Sequence, residues 1–451
     1  MCTQLPTNHY IIKSNLNLSS VAGRTSPGCP TNYQPNPKSP IPNPNSQMNK
    51  TIDRYRKRKK RLRNNTPKND IVSSPKSILF HHFNFDESDL PEEVIFSEIL
   101  TRLPVNSLIK FKLVSKSWNS LISTPNFIKS HLKQTILNQF VPFNCVFIVS
   151  PYFFYILNFG AYDRYPDDQR GEKGLIHVKN LNYNDNGVNT FLIGSCNGLI
   201  CFGRGGSSNG FHYYFRVYNP VMGHYCHVLD PLGNFQWVLM CGFGYVSSKD
   251  DYFLFVAGLQ KRSSEIFVYV FSIKAKIWRK IGVFNENELT IFSGGRGVLV
   301  NETLHWDRTQ VWTPNQKCIC GFDLVDETFK DVKMPGAFSS RGGGNLSFKL
   351  CEINGCLGAW IVNMNGLLEM WVLKEYGVWD SWMILFKMDM VPGFLNFRGW
   401  TENGKVLVQT DDGSLLLADP KSSPTEYVSL VKDLGDMDAL SFVRSPVSPL
   451  F

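Results

Sequence analysis

Residues able to do chemistry are scattered through this chain, and few of them converge. His224-x-Cys226-His227 places two imidazoles and a thiol within four positions, ligand types that suit a transition metal. In an extended strand, however, His224 and Cys226 face one way and His227 the other, so the trio reads as ordinary strand residues. Gly203-x-Gly205-Gly206 and Gly294-Gly295-Arg296-Gly297 have the glycine content of a phosphate loop but neither its Lys and Ser/Thr nor a following helical period, and are expected to be plain loops. Asp250-Asp251 and Asp411-Asp412 fall at turn signals, where solvated carboxylates are usual. No set of nucleophile, base and orienting group is legible. The expectation is a chain with no catalytic residue, no metal and no cofactor.

The net charge of +9 sits largely in one place, Arg54 to Arg63 (RYRKRKKRLR), which holds eight basic residues in ten. Such a run meets acidic surface without needing to fold. Arg56, Lys57, Arg58, Lys59, Lys60 and Arg61 are the candidate nuclear-import address, with a solvated tail as the alternative. Outside the run the chain is close to neutral, so nucleic acid is an unlikely partner. The eleven cysteines are odd in number and form no CxxC pair, which points to reduced thiols in nucleus and cytoplasm. The opening MCTQLPTNHY lacks the basic start and apolar core of a secretory signal. Gln134 to Tyr162 carries no charge over 29 residues. Pro142, Asn144, Ser150-Pro151 and Asn158 interrupt it, so two strands around a Ser-Pro turn are expected there, and no membrane partner.

These residues must be positioned by the elements around them. Residues 1–85 are rich in Ser, Pro and Asn with few large apolar groups, and are expected to be a disordered tail. From Leu90 the period becomes helical. Leu90, Val94, Ile95, Ile99, Leu100 and Leu103 share a face, Pro91 suits a first turn and Pro104 stops the helix. Leu108, Phe111 and Val114 mark a second helix. Ser115 caps a third carrying Trp118, Leu121 and Ile122, and Thr124-Pro125 opens a short fourth turn. About forty residues of short helices make a core too small to stand well alone. A partner surface is implied.

Beyond residue 190 the pattern turns to strands and repeats. VYNPVMGHYCHV, VFSIKAKIWRKI, GFDLVDETFKDV, VLKEYGVWDSWMIL and LADPKSSPTEYV align on Asn219, Ser272, Asp323, Lys374 and Asp419, spaced 53, 51, 51 and 45 apart. Asn197-Gly198, Asn301-Glu302, Asn354-Gly355 and Asn403-Gly404 add hairpin signals between the units. Four strands per period near fifty residues is the signature of a kelch-like propeller. Five blades are visible, and strands within 145–180 could complete a sixth or close the ring. Trp278, Phe329, Trp360, Trp371 and Trp382 take regular places and are expected mostly in blade cores. Target contacts are assigned to irregular loops, Gly203 to His212, Asn285 to Gly295 and Ser339 to Asn345.

LPEEVIFSEILTRLPVNSLIKFKLVSKSWNSLIS resembles an F-box. GSCNGLICF, VYNP, GFGYVSSKDDY, GVLVNETLHW, FDLVDETFKDVKMP, WVLKEYGVWDSW and NGKVLV resemble the F-box-associated domain of the large plant F-box family. Tyr218 departs from the pattern, standing where many relatives carry Trp. The resemblance implies an α+β multidomain chain: a disordered tail over 1–85, a small all-α F-box over 88–133 and an all-β kelch-like propeller over 140–440. It also implies a non-catalytic substrate receptor of a Skp-cullin-F-box ubiquitin ligase, with a Skp-family adaptor, through it a cullin, and an unknown protein target as partners. By that analogy Leu90, Pro91, Ile99, Leu103, Pro104, Leu108 and Trp118 lie at or beside the adaptor interface, while Phe111, Val114 and Ile122 are assigned to the F-box core. The alternative is a nuclear scaffold acting through the basic arm and the propeller.

Overall fold

The computed structural model describes residues 95–137 and most of 145–450; residues 1–94, 161–174, 179–188, 206–212, 286–294, 310–316 and 335–347 are among those outside the description. The tail, the basic run and Leu90-Pro91 therefore lie outside the described residues.

The helical module begins irregularly. Ile95–Ile99 is a wide helical turn that tightens into Leu100–Arg102, where one regular helix is expected from sequence. Thr101 Oγ1 donates to Ser97 O at 2.5 Å, a hydroxyl competing for a backbone acceptor in a way that distorts helices. Pro104 then leads into α1 (Val105–Phe111). Ser115 caps α2 (Lys116–Ile122) by accepting from Trp118 N at 3.1 Å. Thr124 Oγ1 accepts from Phe127 N at 3.3 Å and starts α3 (Pro125–Leu137). At thirteen residues α3 is a full helix rather than the short turn expected, because a second apolar face packs on the strands beyond it. Leu100, Leu108, Ile122 and Phe127 form the small core.

The strands form six sheets among the described residues, each a propeller blade. The closing blade joins β1 (Cys145–Val149), β2 (Phe154–Asn158) and β3 (Leu175–His177) to the last strand, β25 (Asp438–Phe442). Its β1–β2 pair is antiparallel, as expected of the uncharged stretch, and no helix among the described residues is long and apolar enough to cross a membrane. The first blade is β4 (Asn189–Cys196), β5 (Leu199–Gly205), β6 (Tyr214–Tyr218) and β7 (Tyr225–Leu229). The second is β8 (Phe235–Val246), β9 (Asp251–Gln260), β10 (Glu265–Ser272) and β11 (Ile277–Asn285), with the short β12 (Gly295–Arg296) parallel to β8. The third is β13 (Val298–Val300), β14 (Thr303–Thr309), β15 (Lys317–Asp323) and β16 (Thr328–Val332). The fourth is β17 (Phe348–Ile353), β18 (Cys356–Val362), β19 (Leu367–Leu373) and β20 (Trp382–Asp389). The fifth is β21 (Phe394–Trp400), β22 (Val406–Thr410), β23 (Leu415–Asp419) and β24 (Glu426–Val431). The packed chain thus runs past the expected boundary at 440: Ser445 and Val447 are buried, and Asn219 Nδ2 donates to Ser445 O at 2.9 Å.

Side-chain chemistry explains the repeat. The aligned positions open the turn between third and fourth strands, where a short polar side chain caps the backbone. Asn219 Oδ1 accepts from Val221 N and Met222 N, Ser272 Oγ from Ala275 N, Asp323 Oδ1 from Val325 N and Asp326 N, and Asp419 Oδ1 from Lys421 N. Lys374 cannot accept, and its longer turn is held instead by Ser381 Oγ, which bonds both the amide and the carbonyl of Glu375. The fourth strand reaches back to the preceding blade. Trp278 Nε1 donates to Leu229 O at 2.7 Å and Trp382 Nε1 to Lys333 O at 3.1 Å. Trp360, Trp371 and Trp382 are buried, while Trp278 and Phe329 are half-buried against the cores.

Strands β4, β8, β13, β17, β21 and β25 ring the axis, each touching the next. Leu192 N donates to Asp438 Oδ2 and Ser195 Oγ to Ser441 O, so β4 and β25 run side by side in one direction. That shared direction defines two faces. The helical module sits where β4 and β8 end.

Candidate functional site

Two surfaces on opposite sides of the chain's described unit carry the functional interest. On the helical module, Ile99 is 42% exposed, Leu113 85% and Val114 67%, and Pro104 is exposed beside them in sequence order. Leu103 is half-buried, and its carbonyl accepts from His131 Nε2 at 2.8 Å, which ties the start of α1 to α3. Burial pulls the His131 pKa down, keeping the ring neutral, with the proton on Nε2. Trp118 is half-buried and meets Phe111 edge-on at 5.4 Å.

Two assignments need correction. Leu108, expected at the adaptor surface, is 1% exposed and belongs to the core. Val114, expected inside, lies in the turn between α1 and α2 and points to solvent. The helices are too short for their apolar period to say which side faces inward; that depends on how they cross. Ile122 is fully buried and Phe111 packs on the same core. Leu113 was not singled out from sequence. Its signal is an apolar side chain out of phase with Leu100, Leu108 and Ile122.

The opposite side of α3 is docked on the propeller. Ile128 and Leu132 pack against the cluster formed by Ile193, Leu199, Phe243, Tyr252 and Val447. Lys129 Nζ lies 2.8 Å from Asp250 Oδ2, Lys274 Nζ 3.6 Å from the same oxygen, and Tyr245 Oη donates to Asp250 Oδ1 at 2.7 Å. Hydrogen bonds from Lys129 and then Tyr245 hold the Asp250 carboxyl below the usual carboxylate range. The helical module is thereby fixed to the face at which β4 and β8 end.

At the far face the inner strands begin. The described strand ends at 205, 214, 285, 295 and 348 lie there; the segments 206–212, 286–294 and 335–347, which contain most of the candidate target loops, lie outside the described residues. Gly203 and Gly205 are not loop residues. They belong to buried β5, and a Cβ on Gly203 would lie 2.4 Å from the Phe191 ring, so a side chain there would force that ring to move. Gly295-Arg296 likewise forms β12 rather than a loop. Asp251, expected solvated, is buried and accepts from Ser272 Oγ and Lys274 N.

The sequence trio at 224–227 does not assemble. His224 Nδ1 faces Ser448 Oγ at 3.3 Å, and His227 Nε2 faces Arg216 at 3.4 Å. Burial pushes the Cys226 thiol up, and burial with Arg216 pulls His227 down. Among the described residues no three His, Cys, Asp or Glu side chains are grouped to hold a metal. Every described cysteine is a free thiol, and burial drives Cys196 and Cys241 up to about 12, which disfavours the nucleophilic thiolate.

Two family profiles agree with this architecture. The F-box domain profile matches residues 87–130, and that of the F-box associated beta propeller domain matches 163–417. An F-box/kelch-repeat protein of Arabidopsis thaliana is 25% identical over 60% of this chain and 72% of its own. F-box protein CPR1 of Arabidopsis thaliana is 27% identical over 59% of this chain and 65% of its own. The crystal structure of TolB from Acinetobacter baumannii aligns at 11% identity over 72% of each chain with a TM-score of 0.37. The chain belongs to the family of F-box proteins that carry an F-box associated beta propeller domain.

Proposed function

We propose that this protein is the substrate-recognition subunit of a Skp-cullin-F-box ubiquitin ligase. The F-box binds a Skp-family adaptor, and the far face of the propeller holds a target protein. The observation that carries the reading is the pairing of two surfaces on one helical module. Ile99, Leu113 and Val114 are exposed apolar side chains, while Ile128 and Leu132 anchor the same module to the propeller. Such a subunit needs no chemistry of its own. It accelerates ubiquitin transfer by holding target lysines near the charged conjugating enzyme, a gain in effective concentration. The basic run at Arg56 to Arg61 gives it access to the nucleus as well as the cytoplasm.

The test is capture of a co-expressed Skp-family adaptor by the full chain. Full burial of an apolar side chain contributes about 1.5–3 kcal/mol, so Leu113→Asp with Val114→Asp should lower adaptor capture at least about tenfold. Both side chains are exposed, so the variant keeps its fold. A wild-type chain that captures no adaptor would overturn the reading.

A further inference from the structure

Four blades place charged side chains at one level of the central channel, towards the far face. Asp438 is the first residue of β25, Arg398 lies in β21, Arg296 in β12 and Lys349 is second in β17. Arg296 Nη2 and Arg398 Nη2 each lie 3.2 Å from Asp438 Oδ1. Arg398 also donates through Nε and Nη2 to Gln409 Oε1 at 2.8 and 2.6 Å, and Lys349 Nζ donates to Asn396 Oδ1 at 3.1 Å. Asp307 is the carboxylate that acts on Lys349. Among the described residues, three cations (Arg296, Arg398, Lys349) against two carboxylates (Asp438, Asp307) leave the cluster at +1.

Neutralising Asp438 does not account for this cluster. Both Asp438 oxygens are already engaged by backbone, Oδ1 by Ala439 N at 2.9 Å and Oδ2 by Leu192 N at 3.2 Å, and one guanidinium would balance its charge. Arg398 Nη1 and Arg296 Nε donate to no group among the described residues, and neither is sealed from solvent. The side chains of Arg398, Arg296 and Asp438 keep 10%, 21% and 30% of their exposure, so the cluster opens on the channel. Burial foremost, then Arg296, pulls Arg398 down to about 9; burial, then Arg398, lowers Lys349. Cations that disfavour one another in a half-dry site are stabilised by an added anion, and guanidinium forks match tetrahedral oxyanions.

We infer that the far mouth of the channel binds a tetrahedral dianion of the phosphate class, held by Arg296, Arg398 and Lys349. The site stands on its own geometry; only the idea that a target polypeptide carries the anion rests on the receptor reading.

The experiment is calorimetric titration of the full chain at low ionic strength with inorganic phosphate, with the tripeptide Gly-phosphoserine-Gly and with Gly-Ser-Gly. Wild type should bind phosphate saturably and ignore Gly-Ser-Gly. Lys349→Gln, at a half-buried position, should weaken phosphate at least threefold. Asp438→Asn, which takes the cluster from +1 to +2, should tighten it at least threefold. Opposite signs are the signature, because a purely structural clasp gives no gain from losing its carboxylate. Tighter binding of the phosphotripeptide than of inorganic phosphate assigns the group to a polypeptide, and equal binding assigns it to a free anion; both support the site. Absent saturable phosphate binding in wild type, or affinity unmoved in Lys349→Gln, the inference falls. Lys349→Gln keeps the test open if Asp438→Asn does not fold. Adaptor capture, measured on the same proteins, should match wild type, so loss of the receptor reading and loss of the anion site are seen separately.

Discussion

Replacing Ile128 and Leu132 together by Ala should release the F-box from the propeller, whereas Lys129→Gln should not. Truncating a fully buried Ile or Leu costs about 2–5 kcal/mol. Both side chains here are half-buried against the propeller cluster, so about 1–2 kcal/mol each is expected, and about 2–4 for the pair. That is roughly a 30- to 1000-fold shift in the docking equilibrium. The ion pair is closer to the eye but weaker. Lys129 and Asp250 side chains are 55% and 42% exposed, and pairs so solvated contribute about 0.2–1 kcal/mol, at most about fivefold. Hydrogen exchange of the α3 amides from His131 to Thr135 in the full chain reads both effects against reference amides in β9. Neither Ile128 nor Leu132 packs in the F-box core, so the module itself should stay folded. Equal exchange in Lys129→Gln and in the double variant, or no change in the double variant, would refute the ranking of apolar contact over charge.

His305 should give a pH signature. It is fully buried, donates from Nδ1 to Val298 O at 3.1 Å and accepts at Nε2 from Tyr376 Oη at 2.9 Å. Burial lowers its pKa from 6.5 to about 4. Above pH 6.5 the folded and unfolded chains both carry neutral imidazole; between pH 6.5 and 4 only the unfolded chain takes up the proton, so stability falls by about 2 kcal/mol by pH 5. His305→Gln should flatten that part of the plot of melting temperature against pH, and parallel curves would count against the assignment. Separately, Gln at Arg56, Lys57, Arg58, Lys59, Lys60 and Arg61 should move a fluorescent fusion out of the nucleus; unchanged distribution would remove the import role.

Local chemistry was the legible part. Ser115 as a cap and Asn219, Ser272, Asp323 and Asp419 as turn openers announce themselves because each acts within four residues of its own position. Asn197-Gly198 and Asn354-Gly355 take positive φ at both residues, as a two-residue hairpin requires. Asn301-Glu302 does so too, with Glu302 Oε1 accepting from Ser247 N at 2.8 Å. Facing was not legible where elements are short, and Leu108 and Val114 exchange roles for that reason. Nor was anything that depends on distant strands meeting. Gly203 looks like a loop residue until Phe191 is seen against it. The channel cluster draws single residues from four blades, a pattern that no window of sequence contains.

The closing blade sets an order of events during synthesis. Its β1 pairs with β25, so the ring stays open until a strand far downstream of β1 has been made. The F-box helices precede every described strand, and their core cluster is drawn from their own residues. A nascent or prematurely terminated chain would thus display the helical module on an unfinished ring. Because closure joins strands from opposite ends of the propeller, it is the high-contact-order step of folding, the kind that forms slowly.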